Sequence, residues 1–238
     1  MRCHTLALWA ALGAPLALVG CAPNPADDAP AAVVSEPSVA APADAEAGPA
    51  DGQPAVDAAP AAVDAVADAP PAAAIPLSGS IGFVASKVTR THDCSFASWK
   101  GSLDPGDGTP ATATLRFTVD VASVGCDAAD GGNVRLEKHL TGDDFFASGS
   151  HPVATFVSTS IVEGGEGGAS HTISGDLTIR GITRQISFPA MVTVGDGTVS
   201  ATAEFSVNRQ DWEIRYPGQP DDLVRDNVLI KVALSGQA

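Results

Sequence analysis

The feature that most constrains the fold is a strict alternation of apolar and polar residues, which starts near Ile75 and recurs along the rest of the chain. One run places four apolar residues on one face: Leu115, Phe117, Val119 and Val121. The alternation recurs in three further runs, at 81–85, 199–207 and 228–234. Because side chains on a strand point alternately to its two faces, this period predicts half-buried β-strands.

Glycine-rich turns join the alternating runs in order. They lie at 106–108 between 97–103 and 111–121, at 163–168 between 153–162 and 171–179, and at 195–197 between 190–194 and 198–207. Consecutive strands linked by short turns predict an antiparallel meander. A count of seven to nine strands favours an all-β, up-and-down barrel of about eight strands. A β-sandwich is the competing architecture, and periodicity does not separate the two.

One stretch departs from the alternation. Leu136 and Leu140 have helical spacing, and Asn133 stands where a helix N-cap is expected. Residues 141–144 resemble a second helical start with Asp in place of the usual Glu or Gln. We expect one short helix and a further helical turn, inserted between two strands.

The N-terminal residues are typical of a bacterial lipoprotein. Residues 1–20 combine one basic residue with a short apolar core, as in a secretory signal peptide, and are too short for a simple spanning helix. The end of this signal, Leu18-Val19-Gly20-Cys21, resembles a lipobox, which implies lipid attachment at Cys21. An ordinary signal peptide with an incidental cysteine is the alternative. We expect an envelope protein facing the periplasm or the exterior. The outer membrane is favoured in a bacterium that has one, because Ala22 follows the cysteine.

Residues 21–74 have the composition of a disordered linker. Positions 22–74 hold 22 Ala, 10 Pro and nine acidic residues, with no basic or aromatic residue. Such a segment buries too little apolar surface to offset its ordering entropy. We predict a self-repelling tether between the lipid and a domain at 75–238, with a coil reach of about 40 Å.

Charge bears on the class of partner, and cysteine content bears on the presence of a disulfide. The domain carries 12 basic and 19 acidic residues with no basic stripe, so a nucleic-acid partner is not expected. Cys94 and Cys126 are an even pair in an oxidising compartment, which favours a disulfide over two unpaired thiols.

Four segments in order resemble the signature of the YceI-like family. They read EKHLTGDDFF at 137–146, HPVATF at 151–156, GDLTIRGITR at 175–184 and NRQDWEI at 208–214. The resemblance spans about 77–236. It implies a lipocalin-like barrel whose apolar pore binds an isoprenoid chain, such as a polyprenyl lipid or a quinone.

Nine large apolar residues are candidates for the barrel interior, as ligand wall or as plain core. They are Phe83, Leu115, Phe117, Phe156, Leu177, Ile179, Phe188, Phe205 and Trp212. Two polar features accompany them. His139 is expected to fix the helix against the barrel through a hydrogen bond. Arg184 and Asp211 form either a buried polar network at one barrel end or a surface ion pair.

Catalytic signatures are absent from the sequence, which has no Gly-x-Ser-x-Gly elbow, phosphate loop or His-Glu-x-x-His motif. The group His92-Asp93-Cys94 is read as a polar turn, and no metal or other cofactor is expected to be required. We therefore expect a membrane-anchored binding protein for an isoprenoid lipid or quinone. The alternatives are a redox module working through a quinone or a disulfide, and a ligand-free structural domain. A monomer and a homodimer both remain open.

Overall fold

A computed structural model of the chain describes residues 22–38 and 74–237. The strands are β1 (Val33–Ser35), β2 (Ile75–Ser86), β3 (Thr91–Phe96), β4 (Trp99–Asp104), β5 (Thr114–Asp120), β6 (Val124–Cys126), β7 (Val153–Glu163), β8 (His171–Ile179), β9 (Ile182–Gly195), β10 (Thr198–Asn208), β11 (Gly218–Gln219), β12 (Asp222–Leu223) and β13 (Asn227–Gln237). The helix α1 spans Val134–Leu140. Short 3₁₀ turns lie at Pro25–Asp27, Val121–Ser123, Ala128–Asp130, Glu166–Gly168 and Arg209–Trp212.

Eight strands close into an antiparallel barrel in the order β13-β10-β9-β8-β7-β5-β4-β2, because β2 also pairs with β13. Strand β2 closes the ring by using different parts of its length. Residues 75–77 pair with β4, residues 77–84 with β13, and residues 82–86 with β3. The predicted barrel is confirmed, and the sandwich alternative is wrong.

The predicted turns lie where the glycines place them. Asp196 and Gly197 connect β9 to β10 with positive φ angles of 52° and 72°. A two-residue hairpin loop of this handedness needs φ above zero at both central positions, which Asp and Gly tolerate. The glycine-rich stretches at 163–168 and 106–108 likewise lie between β7 and β8 and between β4 and β5.

The helix α1 forms where it was predicted, and the side chain of Asn133 accepts a hydrogen bond from the backbone N–H of Leu136. The second predicted helical start is wrong, because residues 141–144 form hydrogen-bonded turns. Phe145 N–H donates to the carbonyl of Gly142, and Phe146 N–H donates to that of Leu140. These bonds reverse the chain so that both phenylalanines face the barrel.

The linker prediction is wrong for residues 22–38, which are ordered against the barrel. Ala22 N–H donates to the carbonyl of Val88 over 2.9 Å, and Ala26, only 1% exposed, packs on Val84 and Leu229. Strand β1 then pairs antiparallel with residues 185–187 of β9. Composition did not predict the order of this segment, because that order comes from backbone hydrogen bonds and from a few small packed side chains, Ala26, Ala32 and Val34. The rest of the predicted linker, 39–73, and Cys21 lie outside the described residues.

Candidate functional site

The interior of the barrel holds an apolar cavity of about 200 Å³. Alternate residues of seven of the eight barrel strands point into it, all except β4, as the two-residue period requires. The structure brings all nine predicted interior residues into its lining: Phe83, Leu115, Phe117, Phe156, Leu177, Ile179, Phe188, Phe205 and Trp212. Their contact with a ligand stays a prediction.

A row of aromatic rings crosses the interior and explains why the cavity is small. Neighbouring ring centroids lie 6.1 Å apart for Trp99 and Phe117, 6.2 Å for Phe117 and Phe156, and 5.9 Å for Phe156 and Phe188. Phe188 and Phe205 stack at 4.1 Å. Rings at such spacings fill most of the space between the strands, so the remaining void is narrow.

A second cavity of about 740 Å³ lies at one end of the barrel, between α1 and the β11–β12 hairpin. This is the end at which β10 finishes and β13 begins, and we call it the mouth. Five residues line both cavities: Phe83, Ala85, Leu140, Phe145 and Val224. The interior and the mouth are therefore adjacent chambers, separated by apolar side chains.

The mouth has a polar rim. Arg135 and Lys138 are exposed on α1 and line the cavity. Asp127, which is buried, lies 2.8 Å from Nδ1 of His92 and accepts a hydrogen bond from Asn133. Burial raises the pKa of Asp127, but these two hydrogen bonds and the charge of Arg90 outweigh it and hold that pKa below its ordinary value. The ionised carboxylate thus links β3 to the start of α1.

The opposite side of the rim is held by Asp222 of β12. Its carboxylate pairs with Nζ of Lys87 and accepts hydrogen bonds from the backbone N–H and the hydroxyl of Thr89. The hydrogen bond from Lys87 lowers the pKa of Asp222, and those from Thr89 add to the effect. The β11–β12 hairpin is thereby fastened to the turn after β2.

His139 contacts the rim through its ring. It lies edge-on to Phe145 and Tyr216, with centroids 5.0 and 4.8 Å away, and its Nε2 is 3.7 Å from a carboxylate oxygen of Asp144. Within the part of the chain described here, its side chain makes no hydrogen bond to the barrel. The predicted anchoring hydrogen bond is wrong, and edge-on ring packing connects the helix to the segment around Tyr216.

Arg184 and Asp211 do meet, but not through their charges. Nε of Arg184 donates to the backbone carbonyl of Asp211 over 3.2 Å, and its guanidinium pairs with the carboxylate of Glu36 over 3.0 Å. Both proposed arrangements, a buried network and an Arg–Asp surface pair, are wrong. The side chain instead connects the barrel end to the N-terminal segment.

A second buried charge at the mouth end, besides Asp127, is Arg209, which sequence reasoning missed. It is 6% exposed, and its guanidinium donates to the carbonyls of Arg225, Ile214 and Val224 and to Asp226. Beside it the indole N–H of Trp212 donates to the carbonyl of Leu177 over 3.2 Å. An arginine three residues ahead of Trp212 in the block 208–214 was the available signal.

Cys94 and Cys126 form a disulfide between β3 and β6, in which they are directly paired. Cys94 is therefore not a free metal ligand beside His92. Among residues 22–38 and 74–237 no group of three or more His, Cys, Asp or Glu side chains is arranged to hold a metal ion. No helix among them has both the length and the apolar character needed to cross a membrane.

Comparison with known proteins finds one family. Residues 75–235 match the profile of the YceI-like domain. The chain is 32% identical over 102 residues to a UPF0312 protein of Shewanella sp. (strain W3-18-1), covering 43% of this chain and 49% of that protein. It is 30% identical over 103 residues to protein YceI of Escherichia coli O157:H7, with the same coverage. The alignments thus span about half the length of these curated relatives.

Two solved structures have a similar fold. Burkholderia cenocepacia BcnA superposes with a TM-score of 0.56 at 24% identity, covering 66% of this chain and 94% of that one. A polyisoprenoid binding domain from Saccharophagus degradans gives a TM-score of 0.53 at 14% identity, covering 70% and 98%. At these identities the likeness shows the fold alone.

Proposed function

The chain belongs to the YceI-like family, and on that premise we propose that its barrel binds the hydrocarbon chain of an isoprenoid lipid. The observation that carries the proposal is the apolar interior, which adjoins the larger cavity at the mouth. The structural relative from Saccharophagus degradans is described as a polyisoprenoid binding domain, which supports the same ligand class.

The two chambers divide the ligand between them. The interior, at about 200 Å³, is smaller than the roughly 300–1,000 Å³ of typical small-molecule sites, whereas the mouth falls within that range. An isoprenoid tail in the interior gains about 0.8 kcal/mol for each buried methylene. The head group then lies at the mouth, near Arg135 and Lys138, where a quinone or a polyprenyl head remains hydrated.

The protein holds this lipid at a membrane surface, attached through an acylated Cys21. The support is the lipobox-like sequence before Cys21 and the position of Ala22, which is hydrogen-bonded beside the mouth. Ala22, the residue that follows Cys21 in the sequence, is thus held at the barrel. Replacing Cys21 with serine should move the protein from the membrane fraction to the soluble fraction, and unchanged membrane association would contradict the anchor.

Native mass spectrometry of the protein from its host tests lipid binding. The wild type should carry an added mass matching a prenyl lipid, or should take up added farnesol, an isoprenoid alcohol. Ala203→Phe fills the interior, because Ala203 is buried and lines the cavity. Ala233→Phe is the matched control, since Ala233 lies on a neighbouring strand with its side chain outside the barrel.

Loss of binding in Ala203→Phe with retention in Ala233→Phe supports the interior as the site, provided both variants keep a cooperative unfolding transition. A wild type that emerges ligand-free and takes up no farnesol contradicts the proposal.

Disulfide exchange has weaker support as a second function. Cys94 and Cys126 are 2% and 1% exposed. Exchange needs access for an attacking thiolate, so a buried pair is suited to a structural role.

A further inference from the structure

Strands β9 and β10 pair over only part of their length. The hairpin ladder joins residues 191–195 to residues 198–202 and goes no further. Beyond it, residues 182–190 of β9 and 203–208 of β10 diverge toward the mouth, although each stays paired with its other neighbour, β8 or β13. The barrel wall therefore has an open seam along these two edges.

Residues 30–35 fill the seam. On one side Val33, Val34 and Ser35 pair with residues 187 to 185 of β9. On the other side Ala32 N–H donates to the carbonyl of Ser206 over 2.8 Å, and Ser206 N–H donates to the carbonyl of Pro30 over 2.9 Å. The segment thus satisfies backbone groups that both strands would otherwise leave unpaired.

The segment is also part of the interior wall. Ala32 and Val34 pack against the core cluster, while Val33 and Ser35 point outward. The residues on the two seam edges line the cavity: Ile186, Phe188 and Ala190 on β9, and Ala203, Phe205 and Val207 on β10. Inside the seam the edges touch through stacked Phe188 and Phe205 rings, without backbone hydrogen bonds between the two strands.

We propose that residues 30–35 are a displaceable section of the barrel wall, and that their release opens a lateral passage between β9 and β10 for an isoprenoid chain. This inference rests on the proposed lipid binding. The inward side chains of the segment, Ala32 and Val34, are small, and its ladder with β9 covers only three residues. On this side the interior cavity is bounded by the stacked rings of Phe188 and Phe205 and by residues 30–35. The segment is held to β9 and β10 by hydrogen bonds, and no hairpin turn joins it to either strand.

Outside the seam, polar contacts hold the segment closed. Glu36 pairs with Arg184, the hydroxyl of Ser35 donates to the side-chain oxygen of Gln185 over 3.3 Å, and Ser38 N–H donates to the carboxylate of Asp176 over 3.1 Å. These contacts are exposed, so each one exchanges readily with water. The segment is therefore held closed by contacts that are individually weak.

A reversible crosslink tests the passage. Ser35 and Gln185 are directly opposed and face outward, as Ser200 and Ser235 are on the permanently paired strands β10 and β13. Ser35→Cys with Gln185→Cys locks the segment, and Ser200→Cys with Ser235→Cys is the matched control. Both pairs are made in the full chain carrying Cys3→Ser and Cys21→Ser, so that no other thiol competes.

Uptake of farnesol is followed over time by native mass spectrometry. The oxidised Ser35–Gln185 crosslink should abolish uptake on the time scale at which the reduced form fills, while the oxidised control fills normally. Equal uptake by the locked and reduced forms overturns the passage and leaves the mouth as the entrance. If wild type and all variants bind no farnesol, the proposed lipid binding itself has failed.

Amide hydrogen exchange tests whether residues 30–35 open in the absence of a ligand. The amides of Ala32 and Ser206 should exchange faster than amides of β8, which is paired along nearly its whole length with both β7 and β9. Exchange of both amides at the rate of β8 overturns the proposal, because the segment would then open only with the whole barrel.

Discussion

Arg209 provides the sharpest test of how the mouth end is held together, through the substitution Arg209→Met. The guanidinium is 6% exposed and donates to three backbone carbonyls, those of Ile214, Val224 and Arg225. Methionine keeps much of the side-chain length and removes every donor. Each buried carbonyl left without a partner costs about 1–3 kcal/mol.

Two effects reduce the total destabilisation caused by the unpaired carbonyls. Asp226, which also pairs with Arg209, is 47% exposed and is rehydrated when the arginine is lost. The methionine side chain also contributes apolar burial. We therefore expect Arg209→Met to lower the free energy of unfolding by about 3–5 kcal/mol, the lower part of the range for three carbonyls left without a partner.

Urea denaturation of the full chain measures this loss, with tryptophan fluorescence, to which buried Trp212 contributes, as the signal. Arg215→Met is the matched control, because Arg215 is 69% exposed and lies 3.7 Å from Glu213. Such a surface pair contributes about 0–1 kcal/mol. If Arg209→Met falls within about 1 kcal/mol of the wild type, the hydrogen bonds to the carbonyls are not what fastens residues 209–226.

Two further predictions concern the mouth. Replacing both Cys94 and Cys126 with alanine should lower the free energy of unfolding by about 3–4 kcal/mol, the chain-entropy value for a separation of 32 residues; a loss below about 1 kcal/mol in urea titration would refute it. Because the folded-state pKa of Asp127 is depressed, its contribution is full above the unfolded pKa of about 3.9 and is lost as pH falls through the folded pKa. Asp127→Asn should therefore flatten the dependence of stability on pH below about pH 4, and an unchanged slope there would contradict the assignment.

Local sequence patterns predicted the barrel strands and most of the turns between them. The period of two set which side chains of β5 face inward, and Asp196 and Gly197 supplied the backbone angles that the β9–β10 hairpin needs. The Asn133 cap likewise marked the start of α1. Each of these signals acts within a few residues, so the sequence carries it directly.

Contacts between distant segments escaped prediction. Arg209 is held by carbonyls of residues 214–225, and no side-chain pattern marks a carbonyl as an acceptor. Arg184 was paired by residue type with the Asp211 carboxylate, whereas it bonds the Asp211 carbonyl and Glu36. In both cases the backbone competes with side-chain charges for the guanidinium, and the position of the backbone depends on the whole fold.

The N-terminal segment shows why average composition is a poor guide to order. Across 22–74 the large excess of Ala, Pro and acidic residues argues for a coil, and that argument compares burial by the segment alone with its own entropy. Residues 30–35 become ordered because β9 and β10 diverge and leave backbone groups that need partners. The stabilisation is therefore shared: the segment gains hydrogen bonds, and the barrel avoids two exposed edges that invite association with other chains. A low-complexity sequence next to a sheet is thus ordered or not according to the edges that the sheet leaves open.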